Sequence, residues 1–179
     1  GTFDEFWHVV LQRGGWWDRN ERAGQPTAPM PALPRQVPAL FKGEPRDYPY
    51  NLVPFESQRL GAGQYAHLPW LQATPDPMTT VVWQTWVEVG KETARELGIR
   101  EEDVVLVEST NGRSVEAIVY VNPSTPPEVV AMPLGQGHRH STRYAAGRGA
   151  NVFELLEPAL VEDTGALAWA ATRVRLVKT

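Results

Sequence analysis

The chain contains no cysteine. That removes disulfides, thiolate nucleophiles and thiolate ligands to zinc or iron–sulfur clusters from what its 179 residues can do. No apolar run approaches the ~20 residues of a membrane-spanning helix, so direct membrane insertion is not expected. The start, GTFDEFW, has neither the basic end nor the apolar core of a signal peptide. Positive charge is not in excess either: the formal net charge of -4 gives no global attraction to nucleic acid or anionic lipid, and any anion site must be local. Walker and Rossmann fingerprints are missing, since GRGAN lacks the strand–glycine–helix context, and there is no Ser–His–Asp set or informative acid pair. An initiating methionine is also missing, and the expectation is a piece excised from a longer protein. What is present is a hydrophobic share of 42% over a length that suits one well-buried core.

One segment lacks acid altogether. Residues 135–151, GQGHRHSTRYAAGRGAN, carry four glycines, three arginines and two histidines. Glycine lets the backbone approach a ligand, and the guanidinium fork matches phosphate oxygens, so this stretch has the chemistry of an anion cradle; a solvated surface loop is the plainer alternative. His138 and His140 have no third histidine or carboxylate nearby in sequence, so no metal site is expected there. Asp163-Thr164-Gly165-Ala166 is the aspartic-protease tetrapeptide, but Glu162 stands where an apolar strand should precede it, and a turn explains the same residues.

Around the loop the chain divides into three parts. Residues 1–24 open with Thr2 and Glu5 as a capping box; Phe3, Phe6, Trp7, Val10 and Leu11 then share one helical face, Gly14-Gly15 ends the helix, and Trp16 and Trp17 follow. Residues 25–47 are a proline-rich extended connector, either a flexible linker or a strap gripped through Leu33, Val37, Leu40 and Phe41. Residues 48–179 form the body. Strands are expected at 50–55, 80–89, 104–109, 114–121, 129–132 and 166–177, with a helix at 91–97 stopped by Gly98. A tight Asn111-Gly112 hairpin joins the third and fourth strands. Asn151 caps a short helix through Leu156, with Glu154 at the capping-box position. Trp70, Trp83 and Trp86 read as core or partner-facing anchors rather than stacking platforms. Short strands with tight turns point to a mainly β fold, a closed barrel with short helices.

Four stretches carry a family pattern: YPYNLVPFES, WVEVGKETARELGIREEDVVLVESTNGRSVEAIVY, PPEVVAMPLGQGH and GRGANVFELL. Through them the body resembles the C-terminal dinucleotide-binding domain of molybdopterin oxidoreductases of the dimethyl sulfoxide reductase family. LPWLQATPDPMTTVVWQTWVEV and ALAWAATRVRLVKT make it similar to one branch, the fused molybdopterin-like/iron–sulfur subunit of alternative complex III and its polysulfide-reductase-like relatives. The resemblance implies a double-psi β-barrel that holds part of a bis-molybdopterin guanine dinucleotide without doing chemistry itself. It places cofactor contacts at Glu56, Ser57, Gln58, Gln136, Gly137, His138, Arg143, Arg148 and Asn151, although Asn151 serves equally as a cap. Iron–sulfur clusters and the metal-ligating side chain would lie in other domains of the parent subunit, which with membrane-complex subunits are the expected partners. The branch implies a bacterial electron-transfer complex on the extracytoplasmic face of a membrane. The alternative is a cofactor-free structural and interaction module of such a complex.

Overall fold

The computed structural model describes residues 1–18, 41–161 and 164–179, and the chain divides into two compact units, Gly1–Val37 and Pro38–Thr179. The connector residues 25–40, including Leu33, Val37 and Leu40, and the Glu162-Asp163 pair lie outside the described residues.

In the first unit, helix α1 (Phe3–Arg13) follows the capping box at both ends of its reciprocal pair: the Glu5 N–H donates to Thr2 Oγ1 at 3.3 Å and the Thr2 N–H to Glu5 Oε2 at 2.8 Å. Gly14 closes it in the left-handed conformation, φ 75, which only glycine adopts without steric cost. No residue of α1 is buried, and Phe3 stacks on Trp7 at 6.3 Å.

The second unit is a closed barrel of six strands: β1 (Tyr50–Phe55), β2 (Trp86–Val89), β3 (Val104–Ser109), β4 (Ser114–Val121), β5 (Val129–Pro133) and β6 (Thr172–Lys178), in the order β1-β5-β2-β4-β3-β6. Two pairs, β1 with β5 and β2 with β4, run parallel; the other four are antiparallel. Exchanging β1–β3 for β4–β6 reproduces the same ring, the internal pairing of the double-psi barrel. Period-two alternation turns Leu52, Val87, Val105, Val107, Val119 and Val130 inward, all at 1% exposure or less, where they fill the barrel with branched side chains suited to a pleated surface. Helix α3 (Lys91–Leu97) ends at Gly98 with φ 62 and buries Ala94 against this core, with Leu97 packed beside it.

The hairpin differs in detail from expectation. Only Gly112 is left-handed, φ 80; its N–H donates to the Ser109 carbonyl at 3.0 Å, and the Ser109 N–H to the Arg113 carbonyl at 2.9 Å. That is a three-residue loop with a glycine bulge. Two expected strands are shorter than read. Residues 80–85 are not strand, because Thr80 and Trp83 take positive φ (both 60) and break the extended run before Trp86. Residues 166–171 form turns, joined to the preceding segment by a Leu160–Leu167 bridge, so β6 begins at Thr172.

The long excursion between β1 and β2 is held from inside. It contains helix α2 (Pro69–Ala73), whose last carbonyls accept from one buried guanidinium: Arg59 donates to the carbonyl of Leu71 at 3.1 Å, to that of Gln72 at 3.4 Å, and to that of Thr74. Burial pushes the Arg59 guanidinium below its usual value, and the Asp76 carboxylate opposes that shift. The last four carbonyls of a helix have no partner within it, and here a cation satisfies two of them together with that of the C-cap residue.

Candidate functional site

The acid-free loop leaves β5 at Leu134 and doubles back on itself. The Gly137 N–H donates to the Arg148 carbonyl at 2.7 Å, and the Gly147 N–H to the His138 carbonyl at 3.0 Å. Gly137 takes φ 82, and a Cβ there would stand 2.0 Å from the Asn151 nitrogen, so the two arms of the loop touch through glycine backbone. Thr85 ties the loop to the segment before β2: its hydroxyl accepts from the Ala150 N–H at 2.9 Å and donates to the Ala150 carbonyl at 3.2 Å.

Beside this loop lies a cleft of about 690 Å³, flanked by a second of about 490 Å³. Gly137, His138, Arg139, Asn151 and Glu154 form the wall they share. Trp83 and Arg148 line the larger one, with the guanidinium carbon 5.1 Å above the indole ring. Arg139 donates to Glu154 at 2.7 Å, and Arg113 approaches the same carboxylate at 3.6 Å. Glu154 is thus set against Arg113 and Arg139, while Glu116 and Arg148 also line the larger cleft, which is therefore of mixed charge.

The Molydopterin dinucleotide binding domain model matches residues 69–167, more than half of the chain. The chain belongs to that family. It is 30% identical over 155 residues, 82% of its length, to the molybdopterin-binding-like subunit of a menaquinone reductase from Nitratidesulfovibrio vulgaris, and it spans 20% of that relative's length. Its fold is that of part of acetylene hydratase from Pelobacter acetylenicus, with a TM-score of 0.60 at 16% identity, covering 75% of this chain and 19% of the other.

The molydopterin-binding fold gathers some of the residues singled out in the sequence and separates others. Gly137, His138, Arg148 and Asn151 meet at the larger cleft. Gln136 reaches only the smaller one, and its side chain is committed: it is buried, and it exchanges two amide hydrogen bonds with Gln72, at 2.7 and 3.1 Å. Arg143 lines neither cleft; it lies on the Tyr144 ring at 4.6 Å and donates to the Tyr144 hydroxyl. Glu56 and Gln58 are exposed and also lie outside both clefts, while Ser57 is buried, its hydroxyl accepting from the Arg59 and Leu60 N–H groups at 3.3 Å each. Asn151 caps the 3-10 turn Val152–Leu155, accepting from the Phe153 N–H at 3.2 Å. That turn is tighter than the helix expected, and Glu154 pairs with arginines instead of reaching back to the cap.

Two groups fit a phosphate-bearing ring guest. His138 lines both clefts, and its Nε2, buried on the Gly63 side where a Cβ on that glycine would stand 3.0 Å away, has no hydrogen-bond partner among the described residues, an expensive condition for a buried polar atom. Gly147 at φ 67 faces open space, with nothing within 4 Å of where a Cβ would stand, so backbone is accessible beside Arg148. Sequence reasoning passed over Arg139 and Gln72 as site residues, and took Trp83 as an anchor. Trp86 is a core anchor at 2% exposure, Trp70 is exposed, and Trp83 is half-buried in the lining of the larger cleft. The signal that could have found it is the proline- and threonine-rich approach to β2, which makes a continuous strand through Trp83 a poor fit. Among the described residues no group of three His, Asp or Glu side chains converges as metal ligands, and no helix is long and apolar enough to cross a membrane.

Proposed function

We propose that this chain is the cofactor-holding domain of a longer molybdopterin oxidoreductase subunit, and that the glycine-rich loop grips the dinucleotide of the pterin. The reading rests above all on the open Gly147 backbone beside the Arg148 guanidinium in the larger cleft, with the orphaned His138 Nε2 in the same loop. When bound, the cofactor supplies the redox chemistry; the domain contributes binding, orientation and a local field. Arg148 and Arg139 would meet phosphate, the Asn151 amide and the Gly147 backbone would meet polar edges, and Gln136 and Ser57 would act from behind as supports. Gln136 does so through Gln72, and Ser57 through the turn that follows β1. Its partners would be the remaining domains of the subunit, where any iron–sulfur clusters would reside, and the subunits of a membrane complex.

The decisive experiment is metal analysis with pterin fluorescence on the full-length subunit. Stoichiometric pterin is the expected result, with Arg148→Ala and Arg139→Ala each losing it in a salt-sensitive way. One observation favours a second reading, a cofactor-free structural module. Glu154 already occupies Arg139 and stands near Arg113, so the cleft's cations are partly neutralised from within. The relative from Nitratidesulfovibrio vulgaris is itself called molybdopterin-binding-like. A full-length subunit free of metal and pterin would establish this second reading and end the first.

A further inference from the structure

The carboxylate of Glu154 stands between two arginines of unequal footing. Arg139 belongs to an exposed arm of the loop, lines both clefts and donates to Oε1 at 2.7 Å. Arg113 belongs to the β3–β4 hairpin and lines neither cleft; its guanidinium stops 3.6 Å from Oε2 and has no other partner among the described residues. The main chain around Glu154 is pinned to that hairpin. Asn111 Nδ2 donates to the carbonyls of Glu154 at 2.9 Å and of Leu156 at 3.2 Å, and Ser109 Oγ donates to that of Leu155 at 2.6 Å. Arg113 is fixed in the same tip, its N–H donating to Asn111 Oδ1 at 2.9 Å. The carboxylate and its looser cation therefore share one frame, and its tighter cation is carried by another.

An exposed ion pair contributes little, because water screens it and long side chains must be held still. The side chains of Arg139 and Arg113 are 69% and 62% exposed. The Arg139–Glu154 bond is thus enough to occupy the guanidinium and weak enough for a multiply charged anion to displace. We infer that Glu154 is a built-in competitor for the anion of this cleft: it holds Arg139 until an anionic guest takes that guanidinium, and then closes on Arg113. Closing the 3.6 Å gap needs only side-chain rotation, since the backbone of both partners is already fixed. The exchange keeps the carboxylate paired throughout, so the guest never meets an uncompensated negative charge. Without Arg113 the displaced carboxylate would repel the anion that displaced it. A neutral guest leaves the pair in place, so the device makes the cleft answer to charge. The inference rests on the cleft being an anion site, as proposed above, and adds how that site is regulated from within.

The test is calorimetric titration of the 179-residue chain with inorganic pyrophosphate, arranged as two double-mutant cycles. Glu154→Gln keeps the side-chain shape and the backbone ties of the turn, and should tighten binding about threefold, the scale of a partly exposed ion pair. That gain should vanish on an Arg139→Ala background. Arg113→Ala should weaken binding about twofold in the wild type and change nothing on a Glu154→Gln background, because the Arg113 guanidinium acts only through Glu154. A general field effect gives a different pattern, in which each charge change acts equally on both backgrounds. A Glu154→Gln gain that survives without Arg139, an Arg113→Ala loss of the same size on both backgrounds, or no binding by either the wild type or Glu154→Gln at millimolar pyrophosphate would each overturn the inference. The pterin content of the full-length subunit is read separately. A subunit without pterin whose 179-residue chain shows both non-additive cycles removes only the proposed function, whereas a pterin-loaded subunit with additive variants removes only the exchange.

Discussion

At the scale of single residues, the two arms of the loop meet at Gly137 through a contact that permits no added atom. A Cβ on Gly137 would overlap the Asn151 nitrogen at 2.0 Å, and φ 82 is costly for any side chain. Gly137→Ala should therefore lower unfolding free energy by more than about 2 kcal/mol in denaturant titration. The Gln72–Gln136 pair makes a different prediction. Both amides are buried, so removing one leaves the other unsatisfied and Gln136→Leu should cost about 1–3 kcal/mol, while Gln72→Leu with Gln136→Leu should cost less than the sum. Asp103 carries a pH dependence. The Arg100 N–H donating to it holds its carboxyl below the ordinary range, desolvation opposes, and Lys178 adds to the lowering. A lowered folded value means that the stabilisation is present above the unfolded value of 3.8 and is lost as pH falls through the folded one. Asp103→Asn should thus flatten the acid limb of Tm against pH and leave Tm at the lowest pH unchanged.

At the scale of elements, what the chain announces and what it conceals differ by sequence distance. The Thr2 cap, the Gly98 stop and the β3–β4 hairpin were legible because each is settled within a few neighbouring residues. The true start of β2 was not, because it is set by Thr85 bonding to Ala150 of the loop and to Ile118 of β4, and neither partner is near it in sequence. The same holds for the site. The loop was visible as composition, but the commitment of Gln136 to Gln72, 64 residues away, and the arrival of Trp83 beside Arg148 exist only after the barrel closes. Arg143 looked equivalent to Arg148 in sequence; the neighbouring Tyr144 ring is what sets it aside. Thr85→Val tests the tie between the two segments. Losing both hydroxyl bonds should cost about 1–2 kcal/mol and accelerate hydrogen exchange at Ala150 more than at Val89, where the strand ladder is untouched.

At the scale of the whole molecule, the barrel is made of distant partners. Asn51 to Phe55 of β1 pair in parallel with Val129 to Pro133 and, on the other edge, β1 pairs with β6 near the chain's end. Such pairings meet the loop-closure entropy before any contact compensates it, so refolding from urea should be slow, on the order of milliseconds to seconds, when followed by tryptophan fluorescence. The β3–β4 hairpin is the local exception, and mutations there are the natural place to look for effects on folding rate.

Ring closure has one more outcome. Every strand of the barrel has a neighbour on each side, so among the described residues the barrel has no open edge strand for another polypeptide to extend by strand addition. Neighbours must read this domain through side chains and loops, and a cradle built on such a body can be packed into a crowded assembly without seeding fibres.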